Sequence, residues 1–284
     1  MAFIEVKDLR FKYAGGEKDA LTVGSLLVER GELVLITGMS GSGKTTLLRH
    51  LAKETGYKGD KSGMITVHAN SYGYVWQEIH AQPVSHRVES EIVFGMENKG
   101  YEQDQMERRL AEVVAFFGLE DMVHKEISSL SAGELQTVNI AAAIVEKPEM
   151  LLLDEPTGSL DPMAAERLAG LIKKINKELG ITIFIAEQRP ELFFEMADRI
   201  LGFEDGKIVF DGSYEEYITH GDISYLPDSV RLAMSLGASP DDISEISKRR
   251  RWWRESKQKN GYPSENDQDL TGSVEIVKVK NAYS

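Results

Sequence analysis

The chain has 284 residues, 42% hydrophobic and 28% charged, with 46 acidic against 33 basic side chains and a formal charge of -13. At roughly 100–200 residues per domain this predicts one large domain with an extension, or two modest domains, with enough apolar residues for a buried core. The acidic balance argues against gripping a polyphosphate backbone by bulk attraction, the absence of cysteine excludes disulfides and thiolate metal sites, and no apolar run approaches the roughly 20 residues of a membrane helix.

The opening Met1–Asp8 carries charges where a signal peptide needs an apolar run. The expectation is a soluble chain whose membrane role, if it has one, comes through a partner. Ile4–Phe11 alternates as a strand. Leu33–Thr37 is a continuous apolar run followed by glycines and then by helical composition over Lys44–Lys53. Met64–Val67 and Tyr72–Trp76 read as further strands. Glu102–Phe117 predicts a charged helix with Met106, Leu110, Val113, Val114 and Phe117 on one face. Met150–Asp154 is another buried strand. Asp161 as cap, Pro162 in the first turn and Gly180 past the end delimit a helix whose apolar stripe is Leu168, Leu171, Ile172, Ile175 and Leu179. Thr182–Ala186 is the next strand. Ile200–Phe203 and Lys207–Phe210 flank a hairpin turn at Glu204-Asp205-Gly206, and Ser213–Glu216 is a capping box opening a short helix. Strands alternating with helices imply an α/β protein with a mainly parallel, covered sheet.

Beyond about His220 the texture changes. Asp241–Lys257 predicts a helix, with Ser239 as cap, carrying the basic cluster Lys248–Arg254; Lys259–Gly272 reads as a linker. Ser273–Asn281 resembles a strand and echoes the chain's own start, Val279-Lys-Asn281 against Val6-Lys-Asp8. It reads equally as the beginning of a second copy of the domain or as a tail strand.

Gly38-Met-Ser-Gly-Ser-Gly-Lys44-Thr45 fits G-x-x-x-x-G-K-[ST] in full. Glycines let backbone N–H groups approach phosphates, and the following helix adds its positive end. Lys44 supplies a cation to the β- and γ-phosphates, and the Thr45 hydroxyl is a Mg²⁺ ligand. Asp154, ending a buried strand, is placed to hold Mg²⁺ through water, and Glu155 to polarise an attacking water.

With these motifs in hand, Phe3 to His220 resembles the nucleotide-binding domain of an ABC ATPase. Leu130-Ser-Ala-Gly-Glu134 matches the family's signature loop and Asp154–Asp161 its second acidic motif and D-loop. The resemblance implies a P-loop NTPase core with a mainly parallel sheet, an N-terminal antiparallel β region and a helical signature subdomain. It implies ATP and Mg²⁺ as cofactors. Tyr13 would stack on adenine, and Gly38, Met39, Ser40, Gly41, Ser42, Gly43, Lys44, Thr45 and Thr46 would hold the phosphates. Thr45, Gln77 and Asp154 would serve Mg²⁺, with Glu155, Gln188 and Gln77 in catalytic roles. Ser131, Gly133 and Glu134 would face the ATP of a second ABC domain, either a tandem half or a homo- or heterodimer partner.

A closer resemblance is to the energy-coupling factor branch, carried by Gln77–Gln82, Val88–Asn98 and Ala186–Arg189. It implies uptake of a vitamin or transition-metal ion through integral-membrane components, at the inner face of the cell membrane. The expected domains are 1–220 for the ATPase, 221–258 for a helical extension, 259–272 for a linker and 273–284 for the second copy or tail.

Two departures stand out. Gln188 occupies the position of the family's switch histidine, and glutamine cannot carry the proton or its charge. Slow turnover at this site is therefore expected, as in an asymmetric pair. Ala132 and Glu134 replace Gly and Gln in the signature, and Glu134 brings a negative charge toward a phosphate unless it faces away. The six histidines, His50, His68, His80, His86, His124 and His220, show no metal-ligand spacing. The Lys248–Arg254 cluster is a solvated helix end or a contact for lipid headgroups, a partner or RNA. The rival readings are a soluble ABC ATPase acting on ribosomes or nucleic acid, favoured only by that cluster, and a non-hydrolysing ATP binder, favoured by Gln188.

Overall fold

The computed structural model describes residues 2–52 and 58–243. Lys53, the helix expected over Asp241–Lys257 beyond residue 243 with its Lys248–Arg254 cluster, the linker expected over 259–272 and the strand expected over Ser273–Asn281 lie outside the described residues. The chain divides into two compact units, Met1–Tyr214 and Glu215–Ser284.

The first unit is built on one nine-stranded sheet with order β4-β1-β2-β9-β8-β3-β7-β6-β5. The strands are β1 (Ile4–Tyr13), β2 (Leu21–Val28), β3 (Leu33–Gly38), β4 (Gly59–Val67), β5 (Tyr72–Val75), β6 (Met150–Asp154), β7 (Thr182–Glu187), β8 (Arg199–Glu204) and β9 (Lys207–Gly212). β3, β6 and β7 are buried at every position, which is why their sequences are unbroken apolar runs with no alternation. β3 pairs in parallel with β7 and β8, and β6 pairs in parallel with β5 and β7. β1 is antiparallel to both β2 and β4. This is the expected α/β class, a mainly parallel core with an antiparallel N-terminal region.

The sequence reading stopped β1 at Phe11 and started β4 at Met64. Both strands are longer because they pair with each other from Ile4↔Val67 to Tyr13↔Gly59, across an irregularity between Lys7 and Arg10. β2 was missed: its glycine and serine interrupt the alternation of the buried Leu21, Val23, Leu26 and Val28. The β8–β9 hairpin turns through Asp205 and Gly206, both at positive φ, as a two-residue turn that matches strand twist requires.

Helices α1 (Lys44–Leu51), α2 (Val88–Asn98), α3 (Gln103–Phe117), α4 (Ala132–Ile144) and α5 (Pro162–Leu179) complete the unit. α5 begins as expected, with Asp161 Oδ1 accepting from the Ala164 amide at 3.0 Å. Its buried stripe includes Leu168, Ile172 and Ile175, whereas Leu179 is exposed. The helix stays buried as far as Asn176 and only its final residues reach solvent, so the periodic pattern runs past the covered surface.

α2, α3 and α4 form the helical subdomain around a core of their own: Val88, Ile92 and Met96 from α2, Val113 from α3, and Val138 and Ala141 from α4. The remaining apolar side chains of the α3 stripe, Met106, Leu110, Val114 and Phe117, are partly buried against that cluster. α6 (Tyr214–His220) begins on the last residue of the first unit and runs into the second, which also holds α7 (Asp228–Ser235). Ser239 caps the turn that follows, its hydroxyl and amide bonding Asp242 Oδ2 at 2.7 and 3.0 Å. No helix among the described residues is long and apolar enough to cross a membrane.

Candidate active site

Four segments leave the carboxyl ends of strands that lie side by side in the order β3, β7, β6, β5. They are the P-loop after β3, Gln188 after β7, Glu155 after β6 and Gln77 after β5. In open α/β sheets this edge is where ligands bind.

The P-loop is already folded as a cradle. Gly38, Gly41 and Gly43 take positive φ. At Gly38 a Cβ would lie 2.2 Å from the Phe203 carbonyl oxygen, so no other residue fits there. The loop is braced by Ser42 N–H to Met39 O (3.1 Å) and Gly206 N–H to Ser42 O (2.9 Å). Lys44 is only 4% exposed, and its ammonium donates to the carbonyls of Gly38 (2.7 Å) and Met39 (2.9 Å). Burial pulls its pKa below the ordinary value, opposed by the carboxylates of Glu155, Asp154 and Glu187. Among the described residues the buried hydroxyls of Ser42 and Thr37 have no hydrogen-bond partner. A cradle closed to a Cβ, a lysine held at its mouth and an orphaned serine hydroxyl fit an anionic, oxygen-rich ligand. Met39 and Ser40 are exposed on the loop. Tyr13, at the end of β1, shares a hydrogen bond of 3.0 Å with Thr46 Oγ1, which sets its ring beside α1.

Thr45 and Asp154 meet directly, Thr45 Oγ1 donating to Asp154 Oδ1 at 2.9 Å. Tyr74, which the sequence reading did not select, donates to Asp154 Oδ2 at 3.4 Å. Burial holds the Asp154 carboxyl above its usual range, against the Thr45 bond. Hydroxyl, carboxylate and the amide oxygen of Gln77 are hard oxygen donors of the kind Mg²⁺ takes. They are too few to cage the ion without phosphate oxygens, as is usual for Mg²⁺. Among the described residues no cluster of three or more His, Cys, Asp or Glu forms a separate metal site.

Glu155 sits at φ +46, a conformation that costs a non-glycine residue on the order of 1–3 kcal/mol and persists only when its surroundings enforce it. Its carboxylate accepts from Gln77 Nε2 at 2.8 Å. Gln188 is exposed, one residue past the end of β7. Its neighbour Glu187 is buried and accepts at one oxygen from both the amide (2.9 Å) and the hydroxyl (2.6 Å) of Thr157. Burial pushes the Glu187 carboxyl up to about 7 against those two bonds, and nearby Glu155 adds to the rise. Sequence reasoning passed over Glu187, although an acid closing the apolar run Thr182–Ala186 is itself a signal. It also passed over Gln136, which is fully buried on α4 and donates to the Pro156 carbonyl at 3.0 Å.

The signature residues stand at the start of α4. Glu134 turns back on its own helix. Its Oε2 accepts from the amide and the hydroxyl of Ser131, each at 2.8 Å, in a capping box. The two Ser131 bonds hold its carboxyl below the usual range. The charge therefore does not project freely outward. Gly133 is closely packed, since a Cβ there would lie 3.0 Å from Ala164 Cβ.

This geometry agrees with known proteins. A family model described as ABC transporter matches residues 21–158. A protein of Bacillus cereus, provisionally named an ABC transporter ATP-binding protein, is 38% identical over 255 residues, 84% of this chain and 46% of that protein. One of Pyrococcus horikoshii with the same provisional description is 36% identical over 230 residues, covering 76% of this chain and 81% of that one. Among solved structures, cbiO1 of Clostridium perfringens, described as part of the ABC transporter complex cbiONQ, matches with a TM-score of 0.70 at 28% identity, over 78% of this chain and 92% of its own. The chain belongs to the ABC transporter family as an ABC ATPase, ATP-binding domain. It spans less than half the length of several curated relatives it matches.

Proposed function

We propose that this chain couples ATP binding and hydrolysis to uptake of a micronutrient, a vitamin or a transition-metal ion, through integral-membrane components at the inner face of the cell membrane. The carrying observation is the convergence of the P-loop, Thr45–Asp154 and Gln77–Glu155 at one sheet edge. Lys44 and the loop amides would hold the phosphates, and Tyr13 the adenine. Thr45, Asp154 and Gln77 would serve Mg²⁺, which neutralises charge on the β- and γ-phosphates. Glu155 would accept the proton of the water attacking the γ-phosphorus, leaving ADP and phosphate. The Gln77–Glu155 bond would open as nucleotide enters, so the segment after β5 would feel the state of the site and pass it to a membrane partner.

Ser131, Gly133 and Glu134 would face the ATP of a second ABC domain. A tandem arrangement is supported by the relatives of about twice this length. In that layout 1–220 is the ATPase domain, 221–258 a helical extension, 259–272 a linker and 273–284 the second copy or a tail strand. The likeness to cbiO1 supports the uptake branch.

The test is ATP-driven uptake by membrane vesicles holding the natural protein and the membrane components that co-purify with it. Uptake that requires MgATP and stops with Glu155→Gln is the expected result. Co-purification with ribosomes and no membrane component would overturn the proposal. One observation favours a second reading: Gln188 cannot relay a proton. In that reading this site holds ATP while the partner's site hydrolyses it, and turnover of the assembled protein survives Glu155→Gln.

A further inference from the structure

The turn carrying Glu155 is held at three points. The Glu155 amide donates to the Ala186 carbonyl at 2.8 Å. Gln136 donates to the Pro156 carbonyl. Glu187 takes both donors of Thr157 on a single carboxylate oxygen. The first two are a backbone bond and a neutral amide bond. The third brings two donors onto one oxygen of a carboxyl group only 2% exposed, so water does not compete for those bonds. Burying an acid there is unfavourable unless its bonds serve something. What they serve lies two residues away, where Glu155 keeps a left-handed backbone. A strained catalytic residue stays in place only when neighbours over-determine it. Glu187 is also joined directly to Gln188 along the chain. One side chain thus ties the end of β7, where the γ-phosphate sensor is expected, to the turn after β6.

We propose that Glu187 is a positioning residue of the ATP site: its carboxylate clamps Thr157 and thereby fixes the strained turn that aims Glu155. The proposal rests on Glu155 being the base at this site, so the experiment carries Glu155→Gln as its reference.

Steady-state MgATP turnover is measured on the full natural protein with its partners, in Thr157→Val, Thr157→Ser, Glu187→Gln and Glu187→Ala variants. Thr157→Val keeps the amide bond and the side-chain shape but loses the hydroxyl. It is expected to lower kcat about tenfold or more while KM for MgATP stays within about threefold, because aim rather than binding is lost. Thr157→Ser keeps the hydroxyl and is expected to recover kcat to within about threefold of wild type. Glu187→Gln keeps an oxygen acceptor without charge and should fall between wild type and Glu187→Ala. If Glu187→Ala does not fold, the threonine pair still decides the matter.

The inference is overturned if Thr157→Val and the folded Glu187 variants turn over like wild type while Glu155→Gln is inactive; the reading of the site then stands alone. It is also overturned if Thr157→Ser is as slow as Thr157→Val. If Glu155→Gln itself leaves turnover intact, the reading of the site fails and the positioning role falls with it.

Discussion

The sheet edge at the P-loop and the start of α4 both carry acidic side chains, and they treat them in opposite ways. At the sheet edge Lys44, Asp154 and Glu187 are nearly inaccessible. There burial moves the lysine down and both acids up. At α4, Ser131 is exposed and Glu134 is half-buried, and hydrogen bonds from Ser131 move the acid down. The first region stores electrostatic tension in a preformed site. The second discharges its charge locally and offers a relaxed surface. A composite site built from one of each would place the polarised half within this chain and leave the other half to be completed by a partner.

The comparison breaks first at Lys44. Lys44→Ala removes the cation at the mouth of the cradle and should weaken MgATP binding by about 100-fold or more, roughly 3 kcal/mol, in equilibrium titration. Glu155→Gln should lower kcat by about 100-fold or more with nucleotide binding kept, since the glutamine still reaches Gln77 but takes no proton.

The tension itself is tested by pH. The Glu187 carboxyl titrates near 7 when folded against an ordinary 4.5. Between those values the native state keeps a proton that the unfolded chain has released. Stability from this group therefore falls as pH rises through that window and is level above it. Glu187→Gln cannot ionise. Relative to wild type it should gain up to roughly 3 kcal/mol between about pH 4.5 and about pH 8, read from urea midpoints. A variant that is more stable yet slower would mark Glu187 as a group kept for function.

The smallest effect is expected on the relaxed side. Ser131→Ala removes the cap of α4 and should cost about 1 kcal/mol in thermal unfolding. ATP affinity at this chain's own P-loop should stay unchanged. A large loss of that affinity would show that the two regions are not independent.

Much of this was legible in the residues. Continuous apolar runs announced β3, β6 and β7, and Asp161-Pro162 with Gly180 set the limits of α5, because buried parallel strands and helix ends each demand particular side chains. The tight turn after β3 was legible because Gly38, Gly41 and Gly43 take the positive φ it needs. β2 was not, since its pattern is interrupted by Gly24 and Ser25 and only pairing with β1 defines it. The sequence also left open where Glu134 points. Its return to Ser131 depends on α4 beginning at Ala132, with Ser131 as N-cap.

By itself the sequence determined the fold class, the glycine-rich loop after β3 and the acid pair at the end of β6, because these depend on local composition and fixed spacing. Only the tertiary structure decided which acids share a site. Asp154 meets Thr45 across 109 positions, Glu155 meets Gln77 across 78, and Glu187 meets Thr157 across 30. Those meetings come from a strand order that sets β7 between β3 and β6, and long-range pairing of buried strands has no local signature to read.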